Sequence, residues 1–300
     1  MDDVDHVNAT IASWPGRAPG EPAPISVLLL ARDETAELEA LIPALSFARE
    51  IVVVWDPSGE RATRAAAERL GARVCERAFD GFGPQRAFAL AQCSQDWVLW
   101  LDADERLDAK AVESLLRVTA DSVERAIASG SNVAPASGSN VATAPGSQPL
   151  THFRLARATW FLGARIRFCG WQGDAVVRLF RRERARFDDA PVHETVRVDG
   201  PGPGRLAGVI EHHSYRTFAD CSAKCVRYAA AGAAKAYARG HRAGALDVLA
   251  RPPLRFLRQY VLQFGFLDGA HGLVLCAFAA AQVFFKYAEL WERTRAGTRT

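Results

Sequence analysis

Three unbroken apolar runs near the start of the chain constrain its fold more than any other feature. They lie within "ISVLLLA" (25–31), "EIVVVW" (50–55) and "DWVLWL" (96–101), and a more polar segment with strand formers, "RVCERAF", lies at 73–79. A strand with one wet face alternates apolar and polar residues. An unbroken strand is buried on both faces, which is the pattern of a parallel sheet covered by helices. The intervening segments have the helical period. Leu38, Leu41, Ile42 and Leu45 fall at i, i+3, i+4 and i+7, and "SGERATRAAAERLGA" reads as a helix closed by Gly71. "GFGPQRAFALAQC" and "DAKAVESLLRV" supply two more helices. The order βαβαβαβα predicts an α/β fold: a Rossmann-like, mostly parallel sheet with helices on both faces.

In such sheets ligands bind beyond the carboxyl ends of the strands. Asp33, Asp56, Asp102 and Asp104 all stand there, and "DWVLWLDADERLD" gathers three carboxylates, Asp102, Asp104 and Glu105, at one strand exit. Like charges so close repel. A D-x-D pair suits a hard divalent cation, Mg2+ or Mn2+, which takes oxygen ligands, often shares them with phosphate, and cancels the repulsion. The plainer alternative is a solvated loop, with Glu105 and Asp108 favouring the positive end of the next helix.

Charge divides the chain. Residues 1–150 carry 13 Lys/Arg and 22 Asp/Glu, a net of −9, and residues 151–300 carry 24 and 12, a net of +12. The acidic half suits a metal ion, and the basic half suits phosphates or an anionic membrane surface. Six cysteines form no C-x-x-C pair; Cys221 and Cys225 are four apart beside alanines and read as buried thiols. The acidic start "MDDVDHVNAT" has no apolar core of a signal peptide, so a cytoplasmic setting is expected.

The expected organisation is a loose leader (1–24), a first half of an α/β domain (25–125), an insertion (126–150), a second half (151–220) and a helical region (221–300). The insertion repeats ASGSNVA at 128–134 and 136–142, without charge or aromatic residue, and is expected to be flexible. "HFRLARATWFLGARIRFCGWQGDAVVRLFRR" predicts two or three strands, "CSAKCVRYAAAGAAKAYARG" a helix, and "PPLRFLRQYVLQ…ELWERTR" a helical pair. The apolar core of that pair, Gly272 to Phe285, has 14 residues, fewer than the ~18–20 that span a bilayer. With Arg251, Arg255, Arg258 and Lys286 beside apolar faces, the pair reads either as interfacial membrane helices or as helices packed on the domain.

Several motifs in order, "ISVLLLARDETAELEALIPALSFAREIVVVWD", "FDGFGPQRAFALAQCSQDWVLWLDADE", "GWQGDAVVRLFRR", "APVHETV" and "HHSY", resemble glycosyltransferase family 2, in particular the branch of lipopolysaccharide core β-1,4-glucosyltransferases. The resemblance covers roughly residues 24–120 and 152–295. It implies a GT-A fold and inverting sugar transfer from a nucleotide sugar, UDP-linked, to a glycolipid or polysaccharide such as the lipopolysaccharide inner core, at the inner face of the cytoplasmic membrane. By motif, Asp102 and Asp104 match the metal and diphosphate pair. Asp33 and Glu34 match the start of the nucleotide pocket, Asp56 the acid that contacts base or ribose, and Gln85 and Arg86 the flank of the nucleotide. Asp174 matches the base that takes the acceptor proton. His193 matches a histidine that completes the metal site, with His212 as the alternative.

The chain departs from the family at "VVVWDPSGERAT", with Glu60 where a second Asp is usual, and at Ala87 where Asn is common, which leaves the donor's base and sugar open. Arg178, Arg181 and Arg182 read either as a grip on diphosphate or a phosphorylated acceptor, or as a solvated basic face. Trp171 reads either as a sugar-stacking ring or as core.

Two rival readings are a sugar-phosphate nucleotidyltransferase and a non-catalytic membrane-surface scaffold on a GT-A fold. The first usually has a glycine-rich loop after strand one, where this chain has "ARDETAE". The second leaves Asp102, Asp104 and Asp174 without a purpose. No P-loop, H-E-x-x-H or G-x-S-x-G stands in the right context, and no nucleic-acid-binding module is present.

Overall fold

The computed structural model describes residues 21–128, 149–187 and 196–296. Most of the expected leader and insertion, and His193, lie outside these residues.

Strand β1 (Ala23–Ala31) leads through helix α1 (Thr35–Leu41) and a 3-10 turn (Ile42–Leu45) to β2 (Ala48–Trp55). Helix α2 (Arg61–Arg69), β3 (Arg73–Glu76), α3 (Phe82–Gln92) and β4 (Trp97–Trp100) follow, then β5 (Glu105–Leu107) and α4 (Ala109–Ala128). The second half supplies β6 (His152–Phe161), β7 (Ala164–Arg165), β8 (Ala175–Arg181), β9 (Ala185–Phe187), β10 (Val196–Val198) and β11 (Gly204–Tyr215). Three helices end the chain: α5 (Phe218–Ala238), α6 (Ala245–Leu257) and α7 (Gly269–Ala296).

The main sheet has the order β3-β2-β1-β4-β8-β6-β11-β5, with β7 beside β6, while β9 and β10 form a separate antiparallel pair. β3, β2, β1 and β4 run parallel; β8 joins antiparallel to β4 and to β6. The period of two sorts each buried strand between two cores. Ile25, Val27 and Leu29 of β1 meet Leu38 and Leu41 of α1 and Val112 and Leu115 of α4. Leu28, between them, points the other way, to Ala89 and Leu90 of α3 and Trp100. Helices on both faces are what the unbroken apolar runs require, since burying each leucine stabilises by roughly 1.5–3 kcal/mol. The expected α/β arrangement of GT-A type is met.

The chain divides into two compact units, Met1–Arg157 with Ala175–Glu211, and Ala158–Asp174 with His212–Thr300. The second has its own core around Phe161, Ile166, Cys169, Cys221, Leu275 and Cys276. All six cysteines are free, and Cys221 and Cys225 are buried as read. Helix α5 opens with a reciprocal cap: Asp220 N donates to Thr217 Oγ1 and Thr217 N to Asp220 Oδ2, both at 3.1 Å.

The C-terminal pair departs from the sequence reading in two ways. α6 begins seven residues before Pro252, at Ala245, because Asp247 Oδ2 accepts from Gly244 N at 3.0 Å and fixes the first turn there. Pro252 and Pro253 therefore sit inside the helix. α7 also runs well beyond the 14-residue apolar core: Gly265–Ala296 is, by length and composition, apolar enough to cross a membrane.

Candidate active site

The carboxyl end of β4 brings together two acids and two arginines from three segments. Arg178, on the neighbouring antiparallel strand β8, is 3 % exposed. Its Nη2 donates to Asp102 Oδ2 at 2.9 Å and to Glu105 Oε1 at 2.6 Å. The other Glu105 oxygen accepts from Asp102 N at 3.1 Å. Arg86 of α3 approaches Asp102 Oδ1 at 3.5 Å. Both guanidiniums lie over the Trp100 ring, Arg86 Cζ 4.4 Å and Arg178 Cζ 4.2 Å from its centroid. The repulsion among the strand-end acids is thus met by arginine within the protein.

These contacts set the ionisation of the cluster. Burial works against the Arg178 charge, but Glu105 and Asp102 outweigh it and hold the guanidinium protonated, above its ordinary value. Burial also opposes the Asp102 charge, and Arg178 and Arg86 outweigh it, so that carboxyl lies below the usual range. At Glu105 burial prevails over Arg178 and raises the carboxyl above it. Asp102 keeps 36 % of its side chain exposed, so it can meet a ligand as well as Arg178.

The plainer alternative read from the sequence put Glu105 and Asp108 at the positive end of the next helix. Asp108 alone takes that role: its Oδ1 accepts from Ala111 N at 2.8 Å and from Val209 N of β11 at 3.1 Å. Glu105 points inward instead, and its importance was missed. No local signal marks it, because its partner lies 73 residues away.

The other residues expected on the nucleotide side lie at the ends of β1 and β2 and on α3. Asp33 Oδ1 accepts from Glu60 N at 2.9 Å, and Arg32 pairs with its other oxygen at 2.8 Å. Glu34 Oε2 folds back onto the amides of Arg32 (2.5 Å) and Asp33 (2.9 Å), so it shapes the turn. Gly59 stands where a Cβ would collide with the Arg32 carbonyl, so the loop after β2 closes on the loop after β1. Asp56 is buried; the Ser58 amide at 3.0 Å, helped by the Phe79 amide and Arg32, holds its carboxyl below the usual range. Gln85 is buried too. Its Nε2 donates to Arg77 O at 2.9 Å, while its Oε1 has no donor.

Arg178, Arg181 and Arg182 do not form one grip. In the β4–β8 register Trp97 opposes Arg181 and Leu99 opposes Leu179, so Arg178 sits at the carboxyl end of β4 and Arg181 at its amino end. There Arg181 lies 4.3 Å over Trp97, and Arg182 N donates to Asp96 O. Asp174 belongs to the second unit, immediately before β8, and its amide donates to Trp171 O at 3.3 Å. Trp171 stacks on Tyr215 at 6.3 Å and His213 on Trp160 at 5.3 Å, both in the second unit; His212 is half-buried beside His213.

Among the described residues no three His, Cys, Asp or Glu side chains converge on a point that could hold an ion. Asp102 and Asp104 alone make no protein cage. Their oxygens fit the other mode of Mg2+, in which one or two carboxylates hold the ion and substrate phosphates and water complete its shell.

The sequence model described as "Glycosyl transferase family 2" matches residues 26–170, a span holding every acid of the cluster. A lipopolysaccharide core biosynthesis glycosyltransferase, LpsC of Rhizobium meliloti (strain 1021), is 26% identical over 282 residues, covering 88% of this chain and 93% of that one. An uncharacterized glycosyltransferase of Rickettsia bellii is 32% identical over 91 residues, 30% of this chain and 31% of its own length. Among solved structures, S. aureus TarS 1–349 aligns over 91% of both chains at 14% identity with a TM-score of 0.32.

Proposed function

The chain carries a glycosyl transferase family 2 domain over residues 26–170, and from that premise we propose that it moves a hexose, with inversion, from a UDP-linked sugar to a glycolipid such as the lipopolysaccharide inner core. The acceptor class rests on the likeness to the R. meliloti core transferase over 88% of the chain. An acceptor of that kind places the protein at the inner face of the cytoplasmic membrane.

The observation that carries the reading is the cluster of Asp102, Glu105, Arg178 and Arg86 at the carboxyl end of a parallel strand. Arg86, 3.5 Å from Asp102 Oδ1, brings a positive charge to the place where a phosphate oxygen would lie. Arg178 stays with Glu105 and fixes Asp102. Asp102 and Asp104, with His193 as the proposed third ligand, would hold Mg2+ or Mn2+, which when bound supplies positive charge to the leaving nucleoside diphosphate. Asp33, Glu34 and Asp56 border the nucleotide. The buried Gln85 Oε1 without a donor suits a uracil N–H or a ribose hydroxyl. Asp174 takes the proton of the acceptor hydroxyl as that oxygen attacks the anomeric carbon and the bond to the diphosphate breaks.

The test is UDP release from a panel of UDP-sugars with Mn2+ or Mg2+. Release is expected from one sugar, reduced about 100-fold or more in Asp104→Asn at unchanged melting temperature. A panel that stays intact under every metal condition removes the donor assignment, and wild-type turnover in Asp104→Asn removes the metal assignment.

A further inference from the structure

Helix α6 shows its apolar face to solvent. Leu246 is 80 % exposed and Leu249 70 %, and Leu254 and Leu257 continue the same stripe at helical spacing. The stripe runs on through Leu262 (73 % exposed) and Phe264. Another side of the helix is already used: Phe256 joins the core of the second unit, and α6 packs on α7. The exposed stripe is therefore a second apolar face, and a contiguous patch of this kind marks an interaction surface.

The turn that ends the stripe is held in place against its own preference. Phe264 has φ +59°, the left-handed conformation that a phenylalanine rarely adopts, with its ring half in water. A Cβ at Gly272 would collide with the Gly265 carbonyl, so the start of α7 is packed directly on this turn. Strain retained in order to display an aromatic ring points to a surface with a function.

The charges around the stripe indicate its occupant. Arg251, Arg255 and Arg258 line one edge of it at spacings of four and three, and the acid among them, Asp247, is taken up by the helix cap and by Arg251 at 2.7 Å. Residues 212–296 as a whole hold 12 Lys/Arg and five Asp/Glu, a net of +7. An apolar face with a basic edge is the pattern of a helix lying in a membrane interface, where leucines enter the acyl boundary and arginines meet anionic headgroups. α6, at 13 residues, is only about 20 Å long and does not span. α7 is long enough, but it packs on both α5 and α6, and Lys286, Glu289, Glu292 and Arg293 lie in its carboxyl-terminal half.

We infer that the outer face of α6 and the turn through Phe264 dock the protein in the plane of an anionic phospholipid bilayer. The inference deepens the reading of a membrane-borne acceptor and rests on it for its purpose.

The test is co-sedimentation of the full chain with phosphatidylethanolamine–phosphatidylglycerol vesicles, and with phosphatidylcholine vesicles for comparison. Binding to the first is expected, with release by alkaline carbonate. It should weaken about tenfold or more in Leu249→Glu/Leu254→Glu and less, in a salt-dependent way, in Arg255→Gln/Arg258→Gln. The leucine variant should melt as wild type and release UDP from its sugar at the wild-type rate. A wild-type chain that stays in the supernatant overturns the inference. So does a dimer that the leucine substitutions split without any vesicle binding, which would assign the face to a second copy. Retention through alkaline carbonate overturns the in-plane mode in favour of a spanning α7. UDP release without vesicle binding defeats the docking face alone, and vesicle binding without UDP release defeats the donor reading alone.

Discussion

Glu105, 0 % exposed, and Asp102 share a single nitrogen, Arg178 Nη2, at 2.6 and 2.9 Å. The buried carboxylate anchors the arginine, and the arginine aims the half-exposed carboxylate. Replacing Glu105 by alanine leaves a buried guanidinium with half its counter-charge, a change that costs about 3–5 kcal/mol where a buried pair is broken. Glu105→Gln retains the shape and one acceptor and should cost less. In that milder variant kcat should fall about 10–100-fold while the fold survives, since a small misplacement of a site group carries a penalty of that order. Melting temperature and turnover, measured together, check this; a destabilised Glu105→Gln with wild-type kcat would confine Glu105 to a structural role.

Trp100 is shared by Arg86 and Arg178, whose guanidiniums lie 4.4 and 4.2 Å from its ring centroid. Trp100→Phe preserves a π-face and should be tolerated within about 1–2 kcal/mol, whereas Trp100→Ala removes both stacking partners and opens a cavity, for about 3–5 kcal/mol. Denaturant titration gives the two values. Equal losses in both variants would show that the π-face retained by phenylalanine adds nothing.

Asp174→Asn should still bind UDP with the affinity of the wild type and lose about 100- to 10,000-fold in transfer, because only the proton acceptor is removed. Titration calorimetry with UDP and a transfer assay separate the two effects. Unchanged transfer would move the base to another residue.

Glu50 ties three strands at their amino ends. It accepts from Arg73 Nη2 and Ser26 Oγ at 2.5 Å each and from Ser94 N at 2.8 Å. Burial works against its charge, but Arg73, Ser26 and Ser94 outweigh burial and bring its pKa down to about 2. A folded pKa below the unfolded value of about 4.3 means stability that is present above that value and lost as pH falls from there toward 2. Discounted for its partial exposure, the contribution is about 1–2 kcal/mol. Glu50→Gln should be less stable than wild type by that amount at pH 7, and the difference should vanish by about pH 2. A difference constant from pH 7 to pH 2 would mean that the carboxylate charge adds nothing.

The parallel half of the sheet was legible because the carboxyl-terminal halves of β1 and β2 and all of β4 are apolar and almost wholly buried. β5 was not: Glu105-Arg106-Leu107 has no apolar pattern, and its strand character comes from its neighbour β11, about a hundred residues on. The place of Asp102 at a strand end was legible from the sequence. Glu105 and Trp100 were missed, since what defines them is Arg178 on another strand. The start of α6 was misplaced because Pro252-Pro253 imitates a helix beginning, whereas Gly244 and Asp247 make the real one.

The Arg178 bonds to Asp102 and Glu105 span 76 and 73 residues of chain. A ribosome that has delivered the first 150 residues has made every acid of the cluster but not the buried cation that reconciles them. Completion of this corner must wait for β8 to slide in beside β4, so it is a late event in synthesis. A truncated fragment ending before Ala175, however well its parallel strands assemble, would carry an unsettled knot of negative charge at their rim.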